Sequence, residues 1–335
     1  MKTSVIILHF SGLDDTRACI QSLLRDGHED REIFLWDNGS DQRHGDVLKK
    51  EFGDAIRVEA ANENFGYAGG NNRAAAVAHG EILIFLNNDT EVTPGWMQPL
   101  VDALDSDPRL AACQSKLRSL WNPGLFDSAG GAGGYIDAWG YPFVRGRVIS
   151  LQEEDKGQYD SPTELDWACG ACMAVRKKEF LTAGGFDEDF FAYLEEVDLC
   201  WKWRREGRSI SLVPRSIVLH RGGSTWKNRR HVMLYHKHRN GLLMLLKHLS
   251  PAQLLTVLPI RLALEWLAAI FYLTQGGPSQ AAAPVRAFFM FFFLAPQTLR
   301  KRVHLPFLPL RNMRVLPQYF LQGRTTYQSL VQPSE

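Results

Sequence analysis

Three short apolar runs, each broken by a polar cluster, constrain this chain more than any other feature. Val5–Phe10 (VIILHF) turns polar at Ser11-Gly12-Leu13-Asp14-Asp15, Ile33–Trp36 (IFLW) ends at Asp37-Asn38-Gly39-Ser40, and Ile82–Leu86 (ILIFL) stops at Asn87-Asn88-Asp89-Thr90. Apolar runs of this length between turn residues read as buried strands. Helical spacing predicts helices over Thr16–Leu24, Asp46–Phe52, Asn71–His79 and Pro94–Asp105, with a further short strand at Ile56–Glu59. Strands alternating with helices imply an α/β fold, a mostly parallel mixed sheet with helices on both faces. Such sheets bind ligands at the carboxyl ends of their strands. Chemistry is therefore expected at the polar clusters, His9-Phe10-Ser11 among them. The first run lacks the longer apolar stretch and small-residue cleavage site of a signal peptide, and reads as the first strand.

The middle of the chain changes character. Glycines crowd Gly130-Gly131-Ala132-Gly133-Gly134 and Trp139-Gly140-Tyr141-Pro142 follows, so 121–165 reads as a long, partly mobile functional loop. Beyond it, Trp167–Val175 reads as a small-residue strand and Leu194–Glu206 as a helix stopped by Gly207. Ile210–Val213 and Ile217–Leu219 read as two short strands that end at His220-Arg221-Gly222-Gly223. The five cysteines, odd in number and dispersed, are not a disulfide framework, and Cys169-x-x-Cys172 reads as two small core residues.

From Arg229 onward the sequence is helical, apolar and basic. Leu254–Leu273 is long enough to span a bilayer, but it contains Pro259 and an Arg261–Glu265 pair spaced i, i+4, read as a helix-surface pair. Phe288–Leu294 is too short to span. Helices lying on a membrane surface are the expectation. Residues 1–200 carry 18 Lys and Arg against 34 Asp and Glu, whereas 201–335 carry 20 against only Glu206, Glu265 and Glu335. This split implies either an anionic partner for the C-terminal part or mutual attraction of the two halves. The organisation expected is a catalytic unit over 1–228 and a membrane-associated helical region over 229–335.

Several side chains suit acid–base or metal chemistry. Asp89, at a strand tip beside Asn87 and Asn88, fits a divalent cation and a diphosphate, although Asn and Asp also make plain turns. Glu195 and Glu196 open a helix with Asp198. A carboxylate there is favoured in its ionised form and suits a general base, although acidic residues also stabilise a first turn. Neighbouring residues lie about 100° apart on a helix, so Glu195 and Glu196 are expected to diverge, one acting while the other braces. His220 precedes the basic, glycine-rich Arg221-Gly222-Gly223-Ser224 and could complete a metal site with Asp89. Asn62–Asn72 is glycine- and asparagine-rich and runs into a helix N-terminus, a natural anion site. It fits neither a dinucleotide fingerprint nor a P-loop.

Taken in order, these segments resemble the family-2 glycosyltransferases of the GT-A fold, and among them the bacterial rhamnosyltransferase-like branch. The resemblance is carried by Val5–Gly12, Asp37–Ser40, Asn64–Asn72, Leu86–Thr90, Gly170–Cys172, Gly184–Phe191, Tyr193–Trp201 and His220–Gly223, and covers roughly residues 3–245. It implies a Rossmann-like GT-A domain, a nucleotide-sugar donor and a divalent metal, Mg or Mn. Asp37 would recognise the nucleotide base, and Asn38, Ser40, Asn64, Gly69, Asn71 and Asn88 would line the donor site. Asp89, the second acid of the family's D-x-D motif, and His220 would hold the metal, with Asn87 standing where the first acid often stands. Glu196 would be the base, with Glu195 and Asp198 as structural or acceptor-facing acids. No Q-x-x-R-W follows, so a processive synthase is not implied.

The implied reaction is inverting, non-processive transfer of rhamnose or a related deoxyhexose to a growing lipid-linked or oligosaccharide acceptor in surface-polysaccharide synthesis. The implied location is the cytoplasmic face of the cell membrane, with no nucleic-acid partner. A sugar-phosphate nucleotidyltransferase would need a glycine-rich, basic loop after the first strand, which His9–Asp15 lacks. A non-catalytic binder of membranes or anionic polymers would use the basic half alone.

Overall fold

A computed structural model describes residues 2–28, 30–222 and 229–331. Its first half follows the alternation: β1 (Thr3–His9), α1 (Leu13–Asp26), β2 (Arg31–Asp37), α2 (His44–Phe52), β3 (Arg57–Ala60), α3 (Gly66–Val77), β4 (Ile82–Asn87), β5 (Thr90–Val92), α4 (Met97–Ser106) and β6 (Leu110–Ser119). Residues 121–165 are built rather than loose. They hold a four-stranded antiparallel sheet of β7 (Gly134–Ile136), β8 (Pro142–Val144), β9 (Arg147–Val148) and β10 (Leu151–Gln152), then β11 (Thr163–Glu164). Strands of two and three residues are too short to leave a periodic signal. The sheet-bearing part ends with β12 (Cys172–Arg176), α5 (Lys177–Thr182), α6 (Glu195–Arg205) and β13 (Ser209–His220).

The main sheet runs β11-β13-β6-β12-β4-β1-β2-β3, with β5 on β13. β4, β1, β2 and β3 are mutually parallel, and β12 is antiparallel between β4 and β6. This is the mixed sheet expected, and it brings the tips of β1, β2 and β4 to one edge. β6 escapes sequence reading because its buried positions include Gln114, Ser115 and Lys116, whose ammonium lies 3.0 Å from Asp155. The two strands expected at 210–219 are one strand, with a register shift between Val213 and Ile217. Pro214, which has no N–H to donate, sits in that interval. All five cysteines are buried free thiols.

The C-terminal region forms α7 (Arg230–His248), α8 (Pro251–Gly276) and α9 (Pro278–Arg300). Arg261 and Glu265 are not on the surface; they are 2% and 1% exposed. Arg261 lies 3.6 Å over the Tyr141 ring and donates to the Trp139 carbonyl, while Glu265 pairs with His238. The i, i+4 spacing places both on one stripe, and that stripe faces the protein. The opposite face exposes Leu255, Trp266, Leu267, Ile270 and Leu273, and α9 exposes Phe289, Phe292 and Phe293. Part of the charge asymmetry is neutralised internally: Lys247 pairs with Asp187 and Asp198, Lys301 with Asp187 and Asp189, and Arg311 with Asp166.

One buried cation ties the two regions. Arg205, at the end of α6, donates to the carbonyls of Val303, Leu305, Pro306 and Lys247. Replacing it removes hydrogen bonds to one buried and three partly buried carbonyls, each worth about 1 kcal/mol. Arg205→Met is expected to lower unfolding stability by about 3 kcal/mol, read as a drop in the urea midpoint at unchanged slope.

Candidate active site

Three groups of side chains meet at the carboxyl edge of the sheet. The first is built by β4, β5 and β13. Pairing of His220 with Thr90 brings the end of β13 beside the Asn87–Thr90 turn, and Arg221 N–H donates to the Asp89 carbonyl at 2.9 Å. His220 Nε2 then lies 3.1 Å from Asp89 Oδ1 and 3.4 Å from Asn87 Nδ2. On its other side, Nδ1 lies 3.1 Å from Asp127 Oδ2. Burial favours the neutral ring, but Asp127 and Asp89 outweigh it and raise the His220 pKa well above its ordinary value. Asp127 also accepts from the amides of Ala129 and Gly130. Sequence reading missed Asp127 because nothing in the glycine-rich 121–165 segment marks one acid above its neighbours. Gly223 and Ser224 of the expected anion-holding turn lie outside the described residues.

This donor set suits a hard divalent cation. A carboxylate on one ring nitrogen orients the other toward a metal, and Asp127 stands in that relation to His220. Among the described residues no group of three His, Cys, Asp or Glu is placed to hold a metal ion. Magnesium-type sites commonly use one or two protein ligands and complete the shell with phosphate oxygens and water. Asp89 and His220 could serve as such ligands, His220 only after giving up the proton that the two acids favour, with the Asn87 amide 3.4 Å from His220 Nε2.

The second group lies at the tips of β2 and α3. Asp37 accepts from the Ser40 amide, the Ser40 hydroxyl and the Gly45 amide at 2.8–2.9 Å, and is 3% exposed. Asn38 donates to Asn64 Oδ1 and the Gly66 carbonyl, and Asn64 accepts from Gly66 N–H. Asn71 donates to the Tyr67 carbonyl within α3, and Gly69 accepts from Arg73. Asn88 donates to the Ser11 carbonyl and the Thr16 hydroxyl, binding the β4 turn to the β1–α1 loop. The donor-site candidates are thus tied to their own loops and shape them. His9 closes this wall between Thr16 and His44, and burial pushes its pKa down to about 4, keeping it neutral.

The third group is the start of α6. Glu195 and Glu196 do not fully diverge: each feels the other's carboxyl, and an oxygen of each is buried without a hydrogen-bond partner. Each also folds back on backbone amides of the helix's first turn, which leaves N–H groups unpaired. Burial outweighs these amides and raises both pKa values, Glu195 well above the ordinary value because Glu196 adds its charge. The expectation that the helix N-terminus would dominate is thus overturned. Glu196 is the less strongly shifted of the two and is partly accessible at the site. The Tyr193 phenol feels Glu195, Asp89 and Glu196, and Tyr67, buried and bonded to the Gly170 carbonyl, feels both glutamates. Tyr193 thus lies within electrostatic range of both the acid pair and Asp89. Lys237 of α7 faces Glu196. Lys237 itself is exposed, with its ammonium 4.9 Å from the centre of the Tyr193 ring.

Glu195 and Glu196 follow a segment of unusual backbone. Phe191, Tyr193 and Leu194 have φ of 62°, 72° and 71°. Non-glycine residues in such conformations cost of order 1–3 kcal/mol each and persist only where the surroundings impose them. Asp198 points away from this space. It lies 2.6 Å from Lys247 and 2.8 Å from His248, and the Lys247 ammonium, with the His248 hydrogen bond, holds it well below the carboxylate range despite burial.

Comparison with known proteins adds a family. The family described as Glycosyl transferase family 2 matches residues 4–180. The O-antigen biosynthesis protein RfbC of Myxococcus xanthus is 30% identical over 229 residues, 65% of this chain but only 17% of that protein. The N-acetylglucosaminyl-diphospho-decaprenol L-rhamnosyltransferase of Mycobacterium tuberculosis is 27% identical over 224 residues, 61% of this chain and 72% of that one. Among solved structures, GalNAc-T7 with UDP, GalNAc and Mn2+ superposes with a TM-score of 0.60 at 17% identity, covering 91% of this chain and 58% of that one. The fold is therefore of the GT-A kind.

Asp198 is a stabilising acid, and its contribution depends on pH. Its folded pKa lies below the unfolded value, so its contribution is present above the ordinary aspartate range and fades as pH falls through the folded value. Asp198→Asn is expected to cost about 3 kcal/mol at pH 7 by uncovering a buried cation. In urea unfolding, the gap from wild type should narrow below pH 3.8, the ordinary aspartate value.

Proposed function

Because the chain belongs to glycosyl transferase family 2, we propose that it moves a sugar from a nucleoside-diphosphate donor to an acceptor hydroxyl with inversion at the anomeric carbon. The observation that supports this reading is the buried Asp89–His220–Asp127 cluster, with Tyr193 in electrostatic range of both Asp89 and the Glu195–Glu196 pair. Asp89 and His220 would hold a divalent cation, which when bound neutralises the departing diphosphate. Asp127 keeps His220 turned toward that position. Glu196 takes the acceptor hydroxyl's proton as the oxygen attacks. Glu195, still protonated, donates to Glu196 and keeps the base aligned. The walls shaped by Asp37, Asn38, Ser40 and Asn64 would receive the nucleotide, with Gly69, Asn71 and Asn88 supporting them.

The finer assignment is a rhamnose or related deoxyhexose donor and a lipid-linked acceptor in surface-polysaccharide synthesis. Similarity to the mycobacterial rhamnosyltransferase, whose name carries a diphospho-lipid acceptor, supports it. In this reading residues 1–228 form the catalytic unit, and the helices of 229–335 rest on the cytoplasmic face of the membrane. α8 and α9 are long and apolar enough to cross a bilayer by length and composition. Yet α8 commits Arg261 and Glu265 to the protein and turns Leu267, Ile270 and Leu273 outward, as a helix lying in the interface does. Lys and Arg near an anionic surface add about 1 kcal/mol each.

Glu196→Gln is expected to lower transfer by about a thousandfold while donor with Mn2+ still raises the unfolding temperature. Asp89→Asn should lose that donor-dependent rise. Turnover by Glu196→Gln at the wild-type rate would remove the base assignment. Because burial raises the Glu196 pKa, and the base must be ionised, the acid limb of kcat is expected above the ordinary glutamate value of 4.5.

For the membrane, the protein should float with vesicles containing anionic lipid and be released by alkaline carbonate. Leu267→Ser with Ile270→Ser and Phe293→Ser should reduce flotation at least tenfold. Retention in the carbonate pellet would instead mean a spanning helix.

A further inference from the structure

The segment that delivers the acid pair does not choose its own conformation. Phe191 has φ 62° and ψ −61°, and Ala192 N–H donates to the Phe190 carbonyl at 2.7 Å. That is a γ-turn of the rare, strained hand. Tyr193 and Leu194 follow with φ of 72° and 71°, and none of these residues is glycine or asparagine. Two neighbours impose the shape. From α3, Ala68 N–H donates to the Phe191 carbonyl at 3.1 Å, and Gly66 leaves room for that oxygen, which would lie 2.3 Å from a Cβ there. From α7, the fully buried Asn240 carboxamide donates to the carbonyls of Phe190, Ala192 and Tyr193 at 3.0, 2.9 and 2.7 Å. Its own oxygen is oriented by Arg239 Nε at 2.9 Å, and Arg239 in turn donates to the carbonyls of Asp189 and Phe190.

We propose that Asn240 is a positioning residue for catalysis: its amide gathers three carbonyls of the 190–193 turn and thereby sets where Glu195 and Glu196 enter the active site. The proposal rests on Glu196 acting as the base. It makes α7, in the region expected to serve the membrane, a working part of the active site. An NH2 group suits this place because every neighbour in reach is an acceptor, and no water replaces it in a fully buried position. A carboxylate of the same shape would present lone pairs to the same oxygens. The Asp89–His220 cluster is held separately, by β4, β5 and β13, so donor binding need not follow the acid pair.

The test uses the full chain carrying Asn240→Asp, with Asn240→Ala as a second variant. Amide hydrogen exchange of residues 192–196 should rise at least tenfold, while exchange in β1 and β4 stays unchanged. At saturating donor, kcat should fall at least tenfold with donor KM within about threefold, as a small displacement of a catalytic group can cost a hundredfold. Wild-type exchange and kcat in both variants would overturn the proposal. So would a parallel loss of kcat, donor KM and β4 protection, which marks general unfolding. Failure of the base assignment is separately visible: Glu196→Gln would retain turnover, while the exchange measurement still decides what Asn240 does.

Discussion

The site is organised by an imidazole held between two carboxylates. His220 sits at the end of the long β13 strand, Asp89 in the turn after β4, and Asp127 in the segment that follows β6. None of the three can shift without disturbing the others, because each is buried and each depends on the next for its charge balance. Two acids around one ring leave a surplus of negative charge in a place poor in water. Such a surplus is costly unless a cation joins it, and the proposed divalent ion would supply that charge.

A different logic governs the acid pair. Two adjacent glutamates at a helix start would ordinarily be ionised and helped by the helix dipole. Here burial wins and raises both pKa values. In the proposed mechanism the two acids divide their tasks, one bracing and the other acting as the base. The local backbone is strained to make this possible, and the strain is balanced by contacts from α3 and α7.

The helical region is thus more than an appendage. It spends several of its cations on acids of the first half, clasps the turn before the acid pair, and is pinned by Arg205. What remains on its outer side is apolar. The same helices face two media, with polar stripes turned to the protein and hydrocarbon turned away from it.

The alternating apolar runs and their polar ends determined the α/β layout and the edge at which chemistry would lie, because burial against helices demands such runs and strand termination demands turn residues. The kinds of group at that edge, Asp89, Glu196 and His220, were also legible. What only the tertiary structure decided was which groups meet. The Asp127 contact with His220, the meeting of Glu195 with Glu196, the inward turn of Arg261 and Glu265, and the reach of Asn240 to residues about 50 positions away all depend on chain crossings. Pattern and spacing encode what a residue can bury or bind within its own turn of helix or strand. They carry no record of the partner that folding brings from far along the chain, and desolvation by that partner sets the charge.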